Sequence, residues 1–262
     1  MTEKAEEIPI LDFDNSEPLF TAKDLWEKHY FRRSGKPLKL SKNCIITFRD
    51  DHIDYAKDKH SAKLLPKFTH RIEMYEIKKN GVPVTIVHTE MGSPRAIFVM
   101  EILAALGTRK FVSLGNAGSL QKDVKQGDIV LIDRAIRGEG LSYAYAPPSK
   151  YAFPSNTLLG KLEKTLESRG VEYHKGTSWT NDALFRETKK KVNRYMKEGV
   201  LVVEMESSAF YTVAKFLGVD MCSLVYVLDL LKEAEWRIEE TETQKRAEIN
   251  ILDIAIDALT IS

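Results

Sequence analysis

Short apolar runs alternate with segments of helical spacing over most of this chain. Residues 200–203 and 221–228 are largely apolar, and residues 207–217 between them show the spacing of a helix. A strand that is apolar on both sides belongs in a sheet that is covered on both faces. The pattern therefore predicts an α/β protein whose central sheet carries helices on either side.

Local signals place the remaining elements. The pair Asn80-Gly81 is typical of a hairpin turn, and Gly218 is typical of a residue that ends a helix. No repeat or linker divides the sequence, so we expect one domain over 1–262, with an irregular N-terminal extension at 1–42 and a catalytic core at 43–262. Strands are predicted at 44–48, 71–77, 82–88, 110–114, 128–132, 171–179, 200–203 and 221–228, and helices at 24–30, 96–106, 155–168, 187–197, 207–217 and 244–259.

Composition narrows the class of protein. The chain has 39 Lys+Arg against 38 Asp+Glu, a net charge of +1, which argues against a protein that binds nucleic acid by neutralising phosphates. Cys44 and Cys222 lie in apolar runs, which predicts buried, reduced thiols in a reducing compartment. Residues 1–7 are polar, and no uncharged apolar stretch reaches the ~18 residues that span a bilayer. We therefore expect a cytoplasmic protein with no nucleic-acid or membrane partner.

One predicted strand end leads into a helix that could bind an anion. Ligands of open α/β sheets gather at the carboxyl ends of the strands. Ser93 is expected to cap the helix and Pro94 to occupy its first turn, which leaves free N–H groups that attract anions. Arg95 is a cation near this positive helix end, so it either reaches a bound anion or points to solvent.

Three further strand ends carry glycines or acids. Gly115 and Asn116 follow a strand where the backbone can approach a ligand closely. Glu204 and Glu206 face the same way, so they either bind the hydroxyls of a vicinal diol or merely open a helix. Asp229 is either a general acid or the cap of a turn. The histidines show no metal-ligand spacing and no glycine-rich nucleotide loop is present, so we expect no metal and no cofactor.

In order along the chain, these segments resemble the nucleoside phosphorylase family, which includes hexameric purine nucleoside phosphorylases, uridine phosphorylases and methylthioadenosine/adenosylhomocysteine nucleosidases. The likeness runs from about Val82 to the C-terminus. It implies a three-layer fold with a central twisted mixed sheet flanked by helices. The segments that carry it are Met91-Gly92-Ser93-Pro94, Gly115-Asn116-Ala117-Gly118, Gly127-Asp128-Ile129-Val130, Val203-Glu204-Met205-Glu206, Asp229, the uridine phosphorylase-like stretch 137–143 and the stretch 179–188.

The resemblance implies roles at the sugar and the base. Glu206 would hold the ribose 2′ and 3′ hydroxyls, with Glu204 nearby and Met205 packing under the sugar. Asp229 would face the base and protonate its departing ring nitrogen in purine-type members. The residues that would wall the base pocket are Trp179, Thr180, Asp182, Leu184 and Phe185.

Phosphate would contact Asn116, with help from the backbone of Gly115. Two arginines of phosphorolytic members have no counterpart here, because residues 47–52 lack the Gly-Asp-Pro-x-Arg loop and Ser113 stands at the second position. The arginines that we expect to restore this charge are Arg95 first, and Arg49 and Arg137 as lesser candidates.

The leading functional hypothesis is a nucleoside phosphorylase acting in salvage. It would cleave a purine nucleoside or uridine with inorganic phosphate as co-substrate, giving free base and ribose 1-phosphate. Asp229 favours purines, whereas the Arg137 segment favours uridine. Ser113 is consistent with hydrolysis by water instead, and a catalytically silent nucleoside-binding protein is the third interpretation. By resemblance we also expect a homo-oligomer, a dimer or a hexamer built as a trimer of dimers.

Overall fold

The described residues build one mixed sheet that carries helices on both faces. The computed structural model describes residues 9–11, 13–30, 38–66, 72–232, 235–238 and 241–261. The strands are β1 Asn43–Thr47, β2 Lys63–Leu64, β3 Met74–Lys79, β4 Val82–His88, β5 Lys110–Ser119, β6 Ile129–Arg137, β7 Tyr151–Ala152, β8 His174–Thr180, β9 Val202–Glu204, β10 Asp220–Lys232 and β11 Glu235–Ile238. The helices are α1 Ala22–Leu25, α2 Asp50–His60, α3 Ser93–Ala105, α4 Asn156–Ser168, α5 Lys189–Lys197, α6 Ser207–Leu217 and α7 Glu242–Thr260.

The sheet closes on itself at one end. Its strand order is β11-β10-β6-β8-β9-β5-β1-β4-β3-β2, and β10 also pairs with β5 in parallel. The five strands β5, β10, β6, β8 and β9 therefore form a ring, while β1 to β4 continue as an open sheet. Both parallel and antiparallel pairs occur, so the expected mixed sheet is confirmed.

Two apolar cores lie on opposite faces of this sheet. The first includes residues of α3 and α6, such as Met100 and Phe210. The second includes residues of α4 and α7, such as Leu162 and Ile251, and residues of α2. The three-layer α/β arrangement is confirmed. Cys44 and Cys222 are free and fully buried, one in each core, as their apolar surroundings predicted.

Helix ends agree with the local chemistry in most places. Helix α6 spans the predicted range and ends at Gly218, whose φ of 66° is left-handed. Helix α7 begins at a capping box in which the Thr241 side chain and Gln244 satisfy each other's backbone N–H groups. The predicted cap at Ser93 is wrong: Gly92 is the N-cap and Ser93 is the first helical residue, whose hydroxyl donates to Met205 O and does not cap the helix.

Three strands are longer than the sequence predicted, and β6 is one of them because it continues past residue 132 to Arg137. Strand β5 continues through Gly115 to Ser119, and β10 continues through Asp229 to Lys232. Glycines and polar residues end isolated strands, but here the end of β5 pairs with β9 and β10, and the end of β10 pairs with β5 and β11. The predicted strand at 71–77 begins at a residue outside the described part, and the hairpin that it forms with β4 is confirmed.

The first forty residues form only short helical turns where they are described. A 3-10 turn spans Pro9–Leu11, and the predicted helix at 24–30 is a single α-turn, α1, followed by a π-helical turn at Trp26–Tyr30. Among the described residues, no helix is both long and apolar enough to cross a membrane.

Candidate active site

A single glycine joins the two acidic regions of the sequence. Gly118 of β5 pairs with Val203 of β9 on one side and with Asp229 of β10 on the other. A β-bulge between Val227 and Asp229 shifts the register of β10 and re-aims the residues that follow. A side chain at position 118 would overlap Leu231 and lie 3.2 Å from Asp229 Oδ1, so glycine allows the close approach. The end of β9, which carries Glu204 and leads to Glu206, and Asp229 of β10 therefore lie on the two sides of Gly118.

Glu204 is held inside the protein by four hydrogen bonds. Its Oε1 accepts from the hydroxyls of Ser178 at 3.0 Å and Thr180 at 2.6 Å. Its Oε2 accepts from the backbone N–H groups of Glu206 at 2.8 Å and Ser207 at 2.7 Å. Both carboxylate oxygens of Glu204 accept hydrogen bonds from the protein, so its role is to order the turn into α6. Glu206 is the acid that remains to bind a ligand.

Glu206 has one carboxylate oxygen tied to the start of α3. Its Oε1 accepts from the Gly92 N–H at 2.6 Å, so this carboxyl is the group that the positive helix end attracts. Burial raises the pKa of Glu206 to about 8, the charge of Glu204 adds to the rise, and the backbone donors oppose it. Half-buried Met205 lies between the two acids, with its carbonyl fixed by Ser93.

Asp229 lies at the other side of Gly118 and is partly buried. Its Oδ2 accepts from the indole Nε1 of Trp236 at 2.7 Å. Burial raises the pKa of Asp229, and the Trp236 hydrogen bond opposes the rise. A carboxyl with a raised pKa that is held in place in a partly buried site can donate a proton.

Gly115 and Asn116 are consecutive residues of β5 and lie just beyond the end of its pairing with β1. Gly115 packs against Phe48, whose ring would be 3.3 Å from a side chain at that position. Asn116 pairs with Tyr226 of β10 and is half-buried. Ser113, where phosphorolytic members carry arginine, donates its hydroxyl to Ser223 at 2.8 Å within the core.

Arg95 is the one proposed phosphate arginine with an unsatisfied donor. Its Nε is buried and makes no hydrogen bond to any described residue. Glu90 Oε2 lies 3.9 Å away, which is ion-pair distance but too long for a hydrogen bond. Arg95 is in the first turn of α3, close in the chain to the Gly92 N–H that binds Glu206.

The other two arginines are engaged elsewhere. Arg49 donates to Glu248 at 2.6 Å and to Asp51 at 3.2 Å, so two carboxylates already balance its charge. Arg137 is 5% exposed and its guanidinium donates to four acceptors in the loop that follows β6. The acceptors of Arg137 are Ser142 Oγ, Ser149 Oγ, Ala146 O and Pro147 O.

Two of the predicted base-pocket residues, Trp179 and Thr180, are consecutive on β8, so their side chains point to opposite faces of the strand. Ser178 and Thr180 face Glu204, so Trp179 faces the opposite side, where it is 1% exposed and packs against Tyr195 of α5 at 4.7 Å between ring centres. Thr180 supports Glu204 and also accepts from the Ser208 N–H. The structure therefore places Trp179 away from the acidic site.

The loop after β8 keeps the other base-pocket candidates near the surface. Asp182 accepts from the Gly140 N–H at 2.8 Å, and its charge contributes to the raised pKa of Glu206. Leu184 is 49% exposed and Phe185 is 96% exposed, so either side chain is free to cover a bound base.

Two residues near Asp229 were missed by sequence reasoning. Burial raises the pKa of Glu187 to about 7, and the charge of Asp229 adds to the rise. Trp236 donates to Asp229 from β11. An isolated acid and an isolated tryptophan carry no local signal, and only the pairing of β10 with β11 could have pointed to Trp236. The described residues contain no group of three metal-ligating side chains placed to hold an ion.

A Glu204→Gln substitution is expected to destabilise the protein. The amide cannot accept from all four donors, so at least one buried N–H or hydroxyl loses its partner. We expect the free energy of unfolding to fall by about 3 kcal/mol, measured by urea denaturation. Glu163→Gln, which removes a surface ion pair with Lys175, should cost less than about 1 kcal/mol. Equal small losses for both variants would contradict a structural role for Glu204.

Comparison with known proteins identifies the family. The model of the phosphorylase superfamily matches residues 44–260, which covers the sheet and all helices from α2 to α7. The chain belongs to the phosphorylase superfamily. The expected family is thereby confirmed, and the superfamily match includes each of the acids described above.

Two relatives in the superfamily are named as purine nucleoside phosphorylases. A DeoD-type purine nucleoside phosphorylase of Bacillus cereus is 31% identical over 181 residues, 68% of this chain and 76% of that protein. The DeoD-type protein of Bacillus thuringiensis shows the same identity and coverage.

Solved structures show the same fold. Uridine phosphorylase from Vibrio fischeri superposes with a TM-score of 0.75 at 23% identity, over 84% of this chain and 92% of that one. Purine nucleoside phosphorylase from Toxoplasma gondii, in complex with immucillin-H, superposes with a TM-score of 0.76 at 20% identity, over 84% and 91%.

Proposed function

We propose that this chain is a nucleoside phosphorylase, a pentosyltransferase that cleaves the N-glycosidic bond of a nucleoside with inorganic phosphate. The products are a free base and ribose 1-phosphate. The relatives named as purine nucleoside phosphorylases and the phosphorylase superfamily match support this reaction class. The observation that carries the proposal is the row Val203–Gly118–Asp229, which sets Asp229 one strand away from the end of β9, the strand that leads to Glu204 and Glu206.

Each acid suits one end of the bond to be broken. Cleavage builds positive charge on the ribose and negative charge on the base. Glu206, whose Oε1 is already fixed by Gly92, has a second oxygen with which to accept from ribose hydroxyls. Asp229 has Oδ1 left over from its bond to Trp236 and can protonate the leaving base.

Purine nucleosides are the preferred substrates in this proposal. A purine base leaves most easily when its ring nitrogen N7 is protonated, so the acid that supplies this proton should hold it more tightly than an exposed carboxyl does. Burial raises the pKa of Asp229 and also that of Glu187. The uridine-like stretch contributes instead to a structural loop, because Arg137 is satisfied within it.

A panel of nucleosides incubated with and without phosphate tests the proposal. Adenosine, inosine, guanosine and uridine are each mixed with the protein, and free base and ribose 1-phosphate are measured. We expect purine release that depends on phosphate and yields one ribose 1-phosphate for each base. Base release that is undiminished in phosphate-free buffer, with free ribose as the product, would establish the hydrolytic alternative.

One observation favours hydrolysis as the second candidate. The Ser113 hydroxyl is bound to Ser223, and Arg49 is balanced by two carboxylates, so neither position offers a free cation to a phosphate dianion. Phosphorolysis in this chain therefore depends on Arg95, with Asn116 and the Gly115 backbone as neutral contacts.

Arg95→Ala is expected to weaken phosphate use selectively. The loss of one charge-assisted hydrogen bond to phosphate corresponds to a rise in the KM for phosphate of about 10- to 100-fold. Initial rates over a range of phosphate concentrations measure it. Arg194→Ala, an exposed arginine of α5, is the matched control and should leave the KM unchanged. A parental KM in the Arg95 variant would remove this residue from the phosphate site.

The same proposal extends to the co-substrate, the cellular location and the oligomeric state of the enzyme. We propose phosphate as co-substrate with no further cofactor, a cytoplasmic location and a place in nucleoside salvage. The free buried thiols are consistent with a reducing compartment. Exposed apolar side chains at Met91 and Phe185 support a homo-oligomer, either a dimer or a trimer of dimers.

A further inference from the structure

The last two strands place a tryptophan beside the proposed acid. Strands β10 and β11 form an antiparallel hairpin in which Leu231 lies opposite Trp236 and Asp229 lies opposite Ile238. Side chains two apart on a strand share a face, so Asp229 and Leu231 point the same way. Trp236 lies diagonally from Asp229 on that face, within reach of a long aromatic side chain.

The contact between the two side chains is specific. The indole N–H is a donor only, and it lies 2.7 Å from Asp229 Oδ2. The ring is nevertheless 66% exposed, so burial in a core does not explain its place. Leu231, which lies opposite Trp236, packs against Gly118 and fixes this face of the hairpin over the site.

We propose that Trp236 is the positioning residue for Asp229, holding Oδ2 so that Oδ1 alone is presented to the leaving base. This inference rests on the proposed function, in which Asp229 protonates the base. A carboxyl free to rotate about its bond would offer either oxygen in many directions, whereas one held oxygen leaves a single productive geometry. The exposed indole face also offers an aromatic wall for the base, a role that the buried Trp179 cannot fill.

Trp236→Phe keeps an aromatic ring and removes the donor. We expect kcat with a purine nucleoside to fall about 10- to 100-fold, the scale of one hydrogen bond to a charged group. The hydrogen bond lowers the pKa of Asp229, so its loss raises that pKa and moves the basic limb of the kcat/KM profile to higher pH. Phe153→Leu removes another exposed aromatic ring and should change neither kcat nor the profile.

Fluorescence tests the contact without catalysis. The chain has three tryptophans, of which Trp26 is 8% exposed and Trp179 is 1% exposed, so the part of the emission that an aqueous quencher such as iodide removes is that of Trp236, and this part is the signal followed. We expect the emission of the unliganded protein to change with pH as Asp229 ionises. Asp229→Asn should abolish this transition, and Glu187→Gln should retain it, which separates Asp229 from the other titrating carboxyl nearby.

The outcomes separate this inference from the proposed function. If the parent cleaves no nucleoside, the proposed function fails and the fluorescence titration alone decides whether Trp236 holds Asp229. If the parent is active, a Trp236→Phe protein with parental kcat and pH profile overturns the inference. A pH transition in the emission that persists in Asp229→Asn overturns it as well, whatever the stability of the Trp236 variant.

Discussion

Replacing Glu206 by glutamine is expected to reduce kcat/KM for a nucleoside by about 10²- to 10³-fold. The proposed site uses this carboxylate to accept from ribose hydroxyls and to stabilise positive charge on the sugar, and losing one such group costs about this factor. The amide can still accept from the Gly92 N–H, so the fold around it is preserved. Initial rates with a purine nucleoside and saturating phosphate measure the effect.

The pH dependence of kcat/KM in the parent protein tests whether activity requires the ionised form of Glu206. Burial raises the pKa of Glu206 to about 8, so activity that needs the carboxylate should rise with pH on the acid limb of kcat/KM near that value. Hydroxyl donors of a bound ribose favour the charged form, so the corresponding limb of kcat should lie at lower pH. If the acid limb of the kcat/KM profile is unchanged in Glu206→Gln, that limb belongs to another titrating group.

Stability should respond in the opposite direction to activity. Between the ordinary glutamate pKa of 4.5 and the raised pKa of about 8, the native protein holds a proton on Glu206 that the unfolded chain has lost. The free energy of unfolding therefore falls as pH rises through this range. Glu206→Gln has no proton to lose, so its melting temperature should exceed that of the parent at pH values above this range. A variant that loses activity and stability together would point to a structural residue.

Replacing Asp229 by asparagine should produce the other large effect. Loss of a general acid reduces rates by about 10²- to 10⁴-fold, and we expect a fall of this size in kcat with inosine or adenosine. Asparagine keeps an oxygen for the Trp236 N–H, so the hairpin remains in place. Steady-state kinetics at neutral pH measures the loss.

A substrate that needs no acid provides the internal control for Asp229. A purine nucleoside methylated at N7 carries its positive charge before cleavage, so its base leaves without protonation. Asp229→Asn should cleave it at a rate close to that of the parent. Asp220→Asn, a substitution at the opposite end of β10, should leave the cleavage rate of either nucleoside unchanged. An equal loss with both nucleosides would show that Asp229 acts on binding or folding and not as an acid.

Several features of the fold and site could be predicted from sequence alone. Apolar runs and helix boundaries placed most elements, and helix α6 matched its predicted range because Gly218 must adopt a left-handed conformation that other residues avoid. The short motif around Glu204 and Glu206 pointed to a site at a strand end. These signals are local, so no distant contact was needed to interpret them.

Pairing between distant segments decided which residues belong to the site. Asp229 was expected beyond its strand, but β10 continues because β5 pairs with it, and the bulge turns Asp229 toward Gly118. Glu204 and Glu206 look equivalent in the sequence. The hydroxyls of Ser178 and Thr180 on β8 donate to Glu204, however, so Glu206 is the acid that remains to bind a ligand.

The sequence by itself determined the layers, the family and the neighbourhood of the acids, because spacing, capping and short motifs depend on residues close in the chain. Only the tertiary structure decided the direction of each side chain. Trp179 faces a helix because its neighbours on β8 face Glu204, and Trp236 reaches Asp229 because two strands meet in register. A one-residue change of register reverses the face of every side chain, and register depends on partners far away in the sequence.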